Sequence, residues 1–401
     1  MATRPARLSA PAVAAILVAA LALCAATASA ANVTTTTATA PSGGCYSHLF
    51  TFGNSLIDTG NFIHYSTSPG PVARSPYGET FFRRPTGRWS DGRLIVDFIV
   101  ERLGFPYWTP YLAGKSREDF RYGANFAVAS GTALNQLLFK KKHLSVAGIT
   151  PYSLAVQVGW FKKNHEILSN DGGDEPKWLK WFAERKEAMA RSVFMVGEFG
   201  GNDYLHPLFQ NKTLEWVRPL VPRVVRYIAG AVEELVGLGA TTVYVPGLFP
   251  LGCVPRLLFL FRDGGAGDRD PATGCLRGLN DGLAALHNAL LRRRLAELRA
   301  AHPGVTIAYA DYYGEVMELV SNPTASGFDD ALTACCAGGG PYNGNFTVHC
   351  SDPGATQCAD PSRRISWDGL HMTEAVYRIM ARGVLDGPFA DPPIMSRCHG
   401  Y

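Results

Sequence analysis

Short runs of β-branched and aromatic residues alternate with helical patterns of apolar residues along most of the chain. Five such runs predict buried strands, at His48–Phe52, Asn125–Ala129, Ser192–Val196, Thr241–Val245 and Val305–Tyr309. Apolar positions at helical spacing predict helices over residues 93–103, 174–190, 214–238, 280–300 and 373–384. Strands that alternate with helices favour an α/β fold, in which a central parallel sheet is covered by helices on both faces.

This pattern indicates one domain over residues 45–401, without an internal repeat or a linker. Residues 31–44 are rich in Thr, Ala and Gly, and we expect them to form a flexible lead-in. The chain of 401 residues is 47% hydrophobic, which excludes a disordered or collagen-like protein. Lys and Arg total 38 and Asp and Glu total 34, so the net charge of +4 gives no argument for nucleic acid as a partner.

Residues 1–30 have the pattern of a secretory signal peptide. Arg4 and Arg7 precede an apolar run over residues 14–24, and residues 28–30 (ASA) form a small-residue cleavage site. The alternative is a membrane anchor, but the run is too short to span a bilayer comfortably, so we expect no transmembrane anchor. The sequence therefore predicts a protein of the secretory pathway, located outside the cell or in the Golgi lumen.

The cysteines agree with an oxidising compartment. Cys24 lies in the signal segment, and the remaining even number predicts up to four disulfides, whose pairing the sequence leaves open. A zinc site is the alternative, but there is no Cys-x-x-Cys pair and only one histidine lies near the cysteines at 335–358. Sequons predict glycosylation at Asn32, Asn211 and Asn345.

A serine follows the first predicted strand, and an aspartate and a histidine precede the last predicted helix. We expect all three near the edge where the carboxyl ends of parallel strands meet. A serine hydroxyl needs an adjacent base, and an imidazole oriented by a carboxylate can be that base. We therefore expect Ser55 as nucleophile, His371 as base and Asp368, three residues earlier, as the orienting group. Other histidines, among them His206 and His349, are expected to be structural.

Groups that could bind an oxyanion follow the same strands. They are the backbone N–H groups of Ser55 and of Ser130 or Gly131, together with the side-chain amide of Asn202. Of the N–H groups of Ser130 and Gly131 we favour that of Gly131, because glycine suits a close approach of the backbone.

The blocks that carry these residues resemble those of plant-type GDSL esterases/lipases, within the SGNH hydrolases. The four blocks are Phe50–Phe62 (FTFGNSLIDTGNF), Asn125–Leu134 (NFAVASGTAL), Gly197–Tyr204 (GEFGGNDY) and Ser366–Ala375 (SWDGLHMTEA). Residues 252–255 (GCVP) and 335–343 are further features of the plant branch, and the resemblance runs from about Phe50 to Met380. It implies a three-layer α/β/α sandwich, a Ser55–His371–Asp368 triad, the oxyanion hole named above, and no metal or organic cofactor.

Two positions depart from the family pattern. Asn54 stands where the family has Asp, and we interpret this residue as a loop organiser whose exchange is tolerable. Ser130 stands where the family has glycine, and a serine can still present its N–H if it reaches the required backbone angles.

The resemblance implies an ester as substrate but no particular acyl length. The plant branch includes enzymes that deacetylate cell-wall polysaccharides and enzymes that act on lipids or on small phenolic and alkaloid esters. Because the signal segment and sequons suit the apoplast, where glycans are found, we expect acetyl esters of a polysaccharide such as xylan. A lipase, a small-metabolite esterase, an acyltransferase and a non-catalytic glycan-binding protein are the alternatives, and the oligomeric state stays open.

Overall fold

A computed structural model of the protein describes residues 45–164, 185–264 and 269–398. The strands are β1 (His48–Phe52), β2 (Gly123–Asn125), β3 (Ser192–Val196), β4 (Thr242–Pro246), β5 (Thr306–Ala310), β6 (Cys336–Ala337), β7 (Thr356–Gln357) and β8 (Ala390–Asp391). Six of them form one sheet in the order β2-β1-β3-β4-β5-β8, in which β1 to β5 are parallel and β8 is antiparallel to β5. The expected α/β fold with a central parallel sheet is confirmed, with an antiparallel edge strand that the sequence pattern does not reveal.

Helices flank this sheet in two groups. The α-helices with defined bounds are α1 (Asn61–Tyr65), α2 (Ile95–Leu103), α3 (Gln136–Lys141), α4 (Leu154–Asn164), α5 (Gly201–Phe209), α6 (Leu214–Val217), α7 (Val221–Gly237), α8 (Pro255–Leu260), α9 (Arg277–Leu279), α10 (Ala285–Ala301), α11 (Tyr312–Ser321) and α12 (Glu374–Leu385). Helix α7 packs against α4 and α10, whereas α12 packs against α2 and α11. These contacts bury the apolar faces of both groups around the strands.

Two predicted elements need correction. The strand expected over 125–129 ends at Asn125, because the side chain of Asn125 bonds to the Ile57 carbonyl and the Ala127 N–H and turns the chain. The segment stays buried, as expected, but it is a loop. The helix expected over 214–238 is three pieces, with a 3₁₀ turn at Arg218–Leu220, because Pro219 and Pro222 lack the N–H donors of a continuous helix.

Residues 1–44, which contain the predicted signal peptide, the lead-in and Asn32, lie outside the described residues, as does most of the helix expected over 174–190. Residues 185–190 are helical. Within the described ranges, no helix is long and apolar enough to cross a membrane.

Four disulfides join the eight cysteines beyond residue 44. The pairs are Cys45–Cys398, Cys253–Cys275, Cys335–Cys358 and Cys336–Cys350. Of the two described sequons, Asn211 is exposed, whereas Asn345 is half-buried and bonds to Gly338 and Thr347.

Candidate active site

Three side chains from distant parts of the sequence form one hydrogen-bonded chain beside the sheet. Ser55 lies in the loop after β1, and Asp368 and His371 lie in the turn before α12. His371 Nε2 is 2.8 Å from Ser55 Oγ, and His371 Nδ1 is 2.7 Å from Asp368 Oδ2. All three side chains are nine-tenths or more buried. This is the order of contacts that nucleophile, base and orienting carboxylate require.

Asp368 is held ionised by several donors. Tyr77 Oη donates to Asp368 Oδ2 over 2.8 Å, and the N–H groups of Leu370 and His371 donate to Oδ1. Burial by itself raises the pKa of Asp368, but the charge and hydrogen bond of His371, the charge of Arg256 and the Leu370 N–H outweigh it. The pKa of Asp368 therefore lies well below its usual range, and the carboxylate stays charged beside the imidazole.

A disulfide-bonded segment supports the turn that carries Asp368. The N–H of Cys335 donates to the Ser366 carbonyl over 2.9 Å, and the N–H of Cys336 donates to the Trp367 carbonyl over 2.7 Å. The disulfides of these two cysteines and the buried Trp367 ring belong to a second, smaller apolar core that also contains Tyr77. The Gly-rich stretch at 335–358 thus positions the aspartate and its tyrosine donor together.

The loop that presents Ser55 is organised by Asn54. Asn54 Nδ2 donates to the backbone carbonyl of Glu198 over 2.7 Å and to Glu198 Oε2 over 2.8 Å, while Asn54 Oδ1 accepts from the Leu56 N–H. Glu198 Oε1 in turn accepts the N–H of Gly201 at the start of α5. Burial raises the pKa of Glu198 to about 7, although the bonds from Asn54 and Gly201 lower it. Asn54 therefore links the nucleophile loop to the helix that carries Asn202.

Two further buried side chains hold the loops of the site together. Asp58 accepts N–H bonds within its own loop and from Ala129 in the second loop. Gln157 pairs with both the N–H and the carbonyl of Gly53. These contacts fix the backbone on both sides of Ser55 before any substrate binds, as oxyanion binding requires.

The structure reverses our preference for the Gly131 N–H as an oxyanion donor. That N–H already donates to the Val128 carbonyl over 2.9 Å, and a side chain at 131 would lie 2.8 Å from the carbonyl oxygens of Gly53 and Val128. Glycine is needed at 131 for this close approach. Ser130 has a φ of 64°, the left-handed region that favours glycine, and its N–H bonds to none of the described residues.

The N–H groups of Ser130 and Ser55 thus both lack a partner among the described residues. Ser130 is held in its conformation because its Oγ donates to the Gly148 carbonyl and lies 2.9 Å from His206 Nε2. Asn202 Nδ2 donates one hydrogen to the Gly131 carbonyl over 3.0 Å and keeps a second hydrogen. Asn202 lines the same cleft as Ser130.

A cleft of about 800 Å³ lies over these groups and reaches solvent at Thr67 and Ser68. Aromatic rings of Phe62, Tyr65 and Trp89 line it, and the Trp89 ring lies 4.9 Å from the imidazole of His371 between centroids.

His206 and His349, expected to be structural, also line the cleft. Burial lowers the pKa of His206 to about 4, so this ring is neutral beside Ser130. Sequence reasoning also missed Tyr77, which lies 291 residues from the aspartate that it contacts. No local motif marks either contact.

Comparison with known proteins identifies the family of this chain. The family model described as GDSL-like Lipase/Acylhydrolase matches residues 49–384. GDSL esterase/lipase At1g28600 of Arabidopsis thaliana is 42% identical over 359 residues, which cover 88% of this chain and 87% of the relative.

Two other relatives are similar over comparable lengths. GDSL esterase/lipase At5g45910 of Arabidopsis thaliana is 43% identical, over 86% of this chain and 92% of the relative. Sinapine esterase of Brassica napus is 41% identical, over 89% of this chain and 90% of the relative. The chain therefore belongs to the GDSL-like lipase/acylhydrolase family and is a carboxylic ester hydrolase.

Proposed function

We propose that this protein is a secreted serine esterase whose triad is Ser55, His371 and Asp368, and that it removes short acyl groups, acetyl above all, from a cell-wall polysaccharide such as xylan. The observation that carries the triad is the unbroken hydrogen-bonded chain from Asp368 Oδ2 through the imidazole of His371 to Ser55 Oγ. The four disulfides and the lack of a membrane-spanning helix in the described residues agree with secretion.

The reaction proceeds through an acyl-enzyme. Ser55 Oγ attacks the ester carbonyl while its proton passes to His371 Nε2, and Asp368 stabilises the imidazolium that forms. The tetrahedral intermediate collapses as His371 returns the proton to the ester oxygen, so that the alcohol leaves and the acyl group stays on Ser55. A water molecule then gives its proton to His371 and attacks the acyl carbon, which releases the carboxylic acid and restores the serine.

The oxyanion of both tetrahedral intermediates is bound by three donors. In this proposal they are the N–H groups of Ser55 and Ser130 and the free hydrogen of Asn202 Nδ2. All three belong to backbone segments that are fixed by Asn54 and Asp58, so little reorganisation is required as charge develops. Loss of one such donor typically costs about 3 kcal/mol of transition-state stabilisation.

The dimensions of the cleft support a small acyl group on a bulky alcohol. An acetyl group fills only a minor part of about 800 Å³, and the remaining volume suits several sugar rings. The aromatic rings of Phe62, Tyr65 and Trp89 provide flat apolar surfaces for stacking against such rings.

A small phenolic ester is the second candidate substrate. One relative, 41% identical, is named sinapine esterase, and the same three aromatic rings suit an aryl group as well as a sugar. An acetylated polysaccharide and a phenolic ester differ in which side of the ester is bulky, so the two candidates are separable by substrate preference.

The deciding experiment compares wild type, Ser55→Ala and the control Ser396→Ala on p-nitrophenyl acetate and on acetylated xylan. Ser396 is exposed and does not line the cleft. We expect wild type and the control to release acetate from both substrates and Ser55→Ala from neither. Activity on the small ester alone would favour the phenolic substrate, and an active Ser55→Ala would refute the proposed nucleophile. Release of p-nitrophenol without acetate, in the presence of an acceptor alcohol, would indicate acyl transfer.

A further inference from the structure

Arg256 carries a charge at the wall of the cleft. It is half-buried near the start of α8 and lines the cleft. Its guanidinium makes no hydrogen bond and no ion pair with any described residue, and its nearest aromatic contact is the Phe346 ring, 5.4 Å from the ring centroid. A guanidinium has five N–H donors, so this side chain keeps them all for a ligand or for water.

The described residues that line the rest of the cleft carry no negative charge. Besides Arg256, they include three histidines, His206, His349 and His371, but no Asp and no Glu. His349 in this lining contacts Asp352 over 3.1 Å, and that carboxylate is also bound by Arg74 over 2.7 Å. A cleft with an unpaired arginine and no exposed carboxylate attracts anions and repels cations.

Arg256 also lies on the side of the reaction centre where the turn with His371 is found. Its backbone N–H donates to the Gly369 carbonyl over 3.1 Å, so it adjoins the turn that carries Asp368 and His371. In the proposed mechanism His371 returns its proton to the ester oxygen, and the alcohol part of the substrate extends along that wall.

We propose that Arg256 binds an anionic group, a carboxylate in particular, on the alcohol part of the ester. The substrate class is therefore an acyl ester of an acidic alcohol, such as a uronate-bearing polysaccharide or a hydroxybenzoate. Guanidinium and carboxylate match as a bidentate pair, and such charge-assisted bonds are about twice as strong as neutral ones. This inference rests on the proposed esterase function and adds the charge of its substrate.

The test uses matched acetyl esters that differ only in charge, 3-acetoxybenzoate and the neutral 3-acetoxybenzamide. We expect wild type to show a kcat/KM at least about tenfold higher for the anion, as a charge-assisted hydrogen bond in a partly buried site predicts. Arg256→Gln should bring this ratio near one, and Arg256→Lys should keep part of it. Arg262→Gln is the matched control, because Arg262 also lies over a phenylalanine ring, that of Phe259, but outside the cleft.

The ratio separates substrate binding from an effect on the triad. Arg256 also lowers the pKa of Asp368, so its loss can slow both esters, but such a change cancels in the ratio. A wild-type ratio near one, or a ratio unchanged in Arg256→Gln, would overturn the inference while activity on the neutral ester still supports the esterase. No activity on either ester would count against the proposed function itself.

Acetylated glucuronoxylan, before and after reduction of its carboxyl groups, extends the test to a polymer. Faster acetate release from the unreduced polymer, lost in Arg256→Gln, is the expected result and identifies an acidic polysaccharide as the source of the anion. Equal release from both polymers, with the charge preference kept on the small esters, would assign the site to an acidic small alcohol.

Discussion

Replacement of Asn54 by the family's aspartate tests how the nucleophile loop is held. In the wild-type protein Asn54 Nδ2 donates to two oxygens of Glu198, its carbonyl at 2.7 Å and its Oε2 at 2.8 Å. Asn54→Asp brings a carboxylate oxygen against both acceptors, in a site where Glu198 is buried. Two carboxylates at this distance cannot both ionise, so the pair must keep a proton.

The expected loss of unfolding free energy follows from the linkage between proton binding and folding. The wild-type site releases the proton of Glu198 near pH 7, because burial raises that pKa to about 7. In Asn54→Asp the second carboxylate raises the pKa of the pair further, so above pH 7 the folded variant holds one proton more than folded wild type. Both acids are ionised in the unfolded chains at this pH. The variant therefore loses about 1.4 kcal/mol of unfolding free energy per pH unit relative to wild type, or roughly 2 kcal/mol between pH 7 and 8.5.

Guanidinium chloride unfolding at pH 6, 7 and 8.5, with the disulfides intact, measures this difference. The double variant Asn54→Asp/Glu198→Gln is the control, because the glutamine amide can donate to Asp at 54 and no shared proton is needed. We expect the pH-dependent loss in the single variant and not in the double variant. A difference between wild type and Asn54→Asp that stays constant from pH 6 to 8.5 would refute the reasoning.

Three further predictions follow from buried polar contacts. Tyr77→Phe removes a donor to Asp368 Oδ2, so kcat for p-nitrophenyl acetate should fall about tenfold with KM little changed, and an unaltered kcat would contradict this role. Asp97→Asn breaks the buried ion pair with Arg88, at 2.7 Å, and should lower the unfolding free energy by about 3–5 kcal/mol in denaturant titrations; a loss below about 1 kcal/mol would count against it. Glu315 is buried, its Oε2 lacks a partner among the described residues, and burial, with the nearby acidic charges, raises its pKa from 4.5 to about 8. The folded state therefore binds the proton of Glu315 more tightly than the unfolded chain does. Wild type should lose stability between pH 5 and 8 relative to Glu315→Gln, and a difference that does not change with pH would contradict this prediction.

The positions of the longer strands along the chain and the edge at which the site forms follow from local residue patterns. Runs such as Val193–Val196 are apolar throughout and favour burial, and parallel strands align their carboxyl ends. The sequence therefore places Ser55, Asn202, Asp368 and His371 at one edge. The structure brings Ser55, Asn202 and His371 to one cleft, and Asp368 contacts His371 from behind. Short elements were missed, because a two-residue strand such as Ala390–Asp391 has no period to detect.

The choice among neighbouring donors depended on the path of the backbone. Ser130 and Gly131 are adjacent, and residue type favoured the glycine, yet the turn directs the Gly131 N–H to Val128 and leaves the Ser130 N–H free. The pairing of the cysteines was likewise open, because spacing does not state which segments meet in space.

The sequence by itself determined the chemistry of this protein, since nucleophile, base and acid are properties of residue types in recognisable local blocks. Only the tertiary structure decided which distant groups support them. Tyr77 reaches Asp368 across 291 residues, and Arg256 adjoins the same turn through Gly369. Such contacts depend on how several elements pack together, and a sequence carries no local signal for a partner that folding alone brings within hydrogen-bond distance.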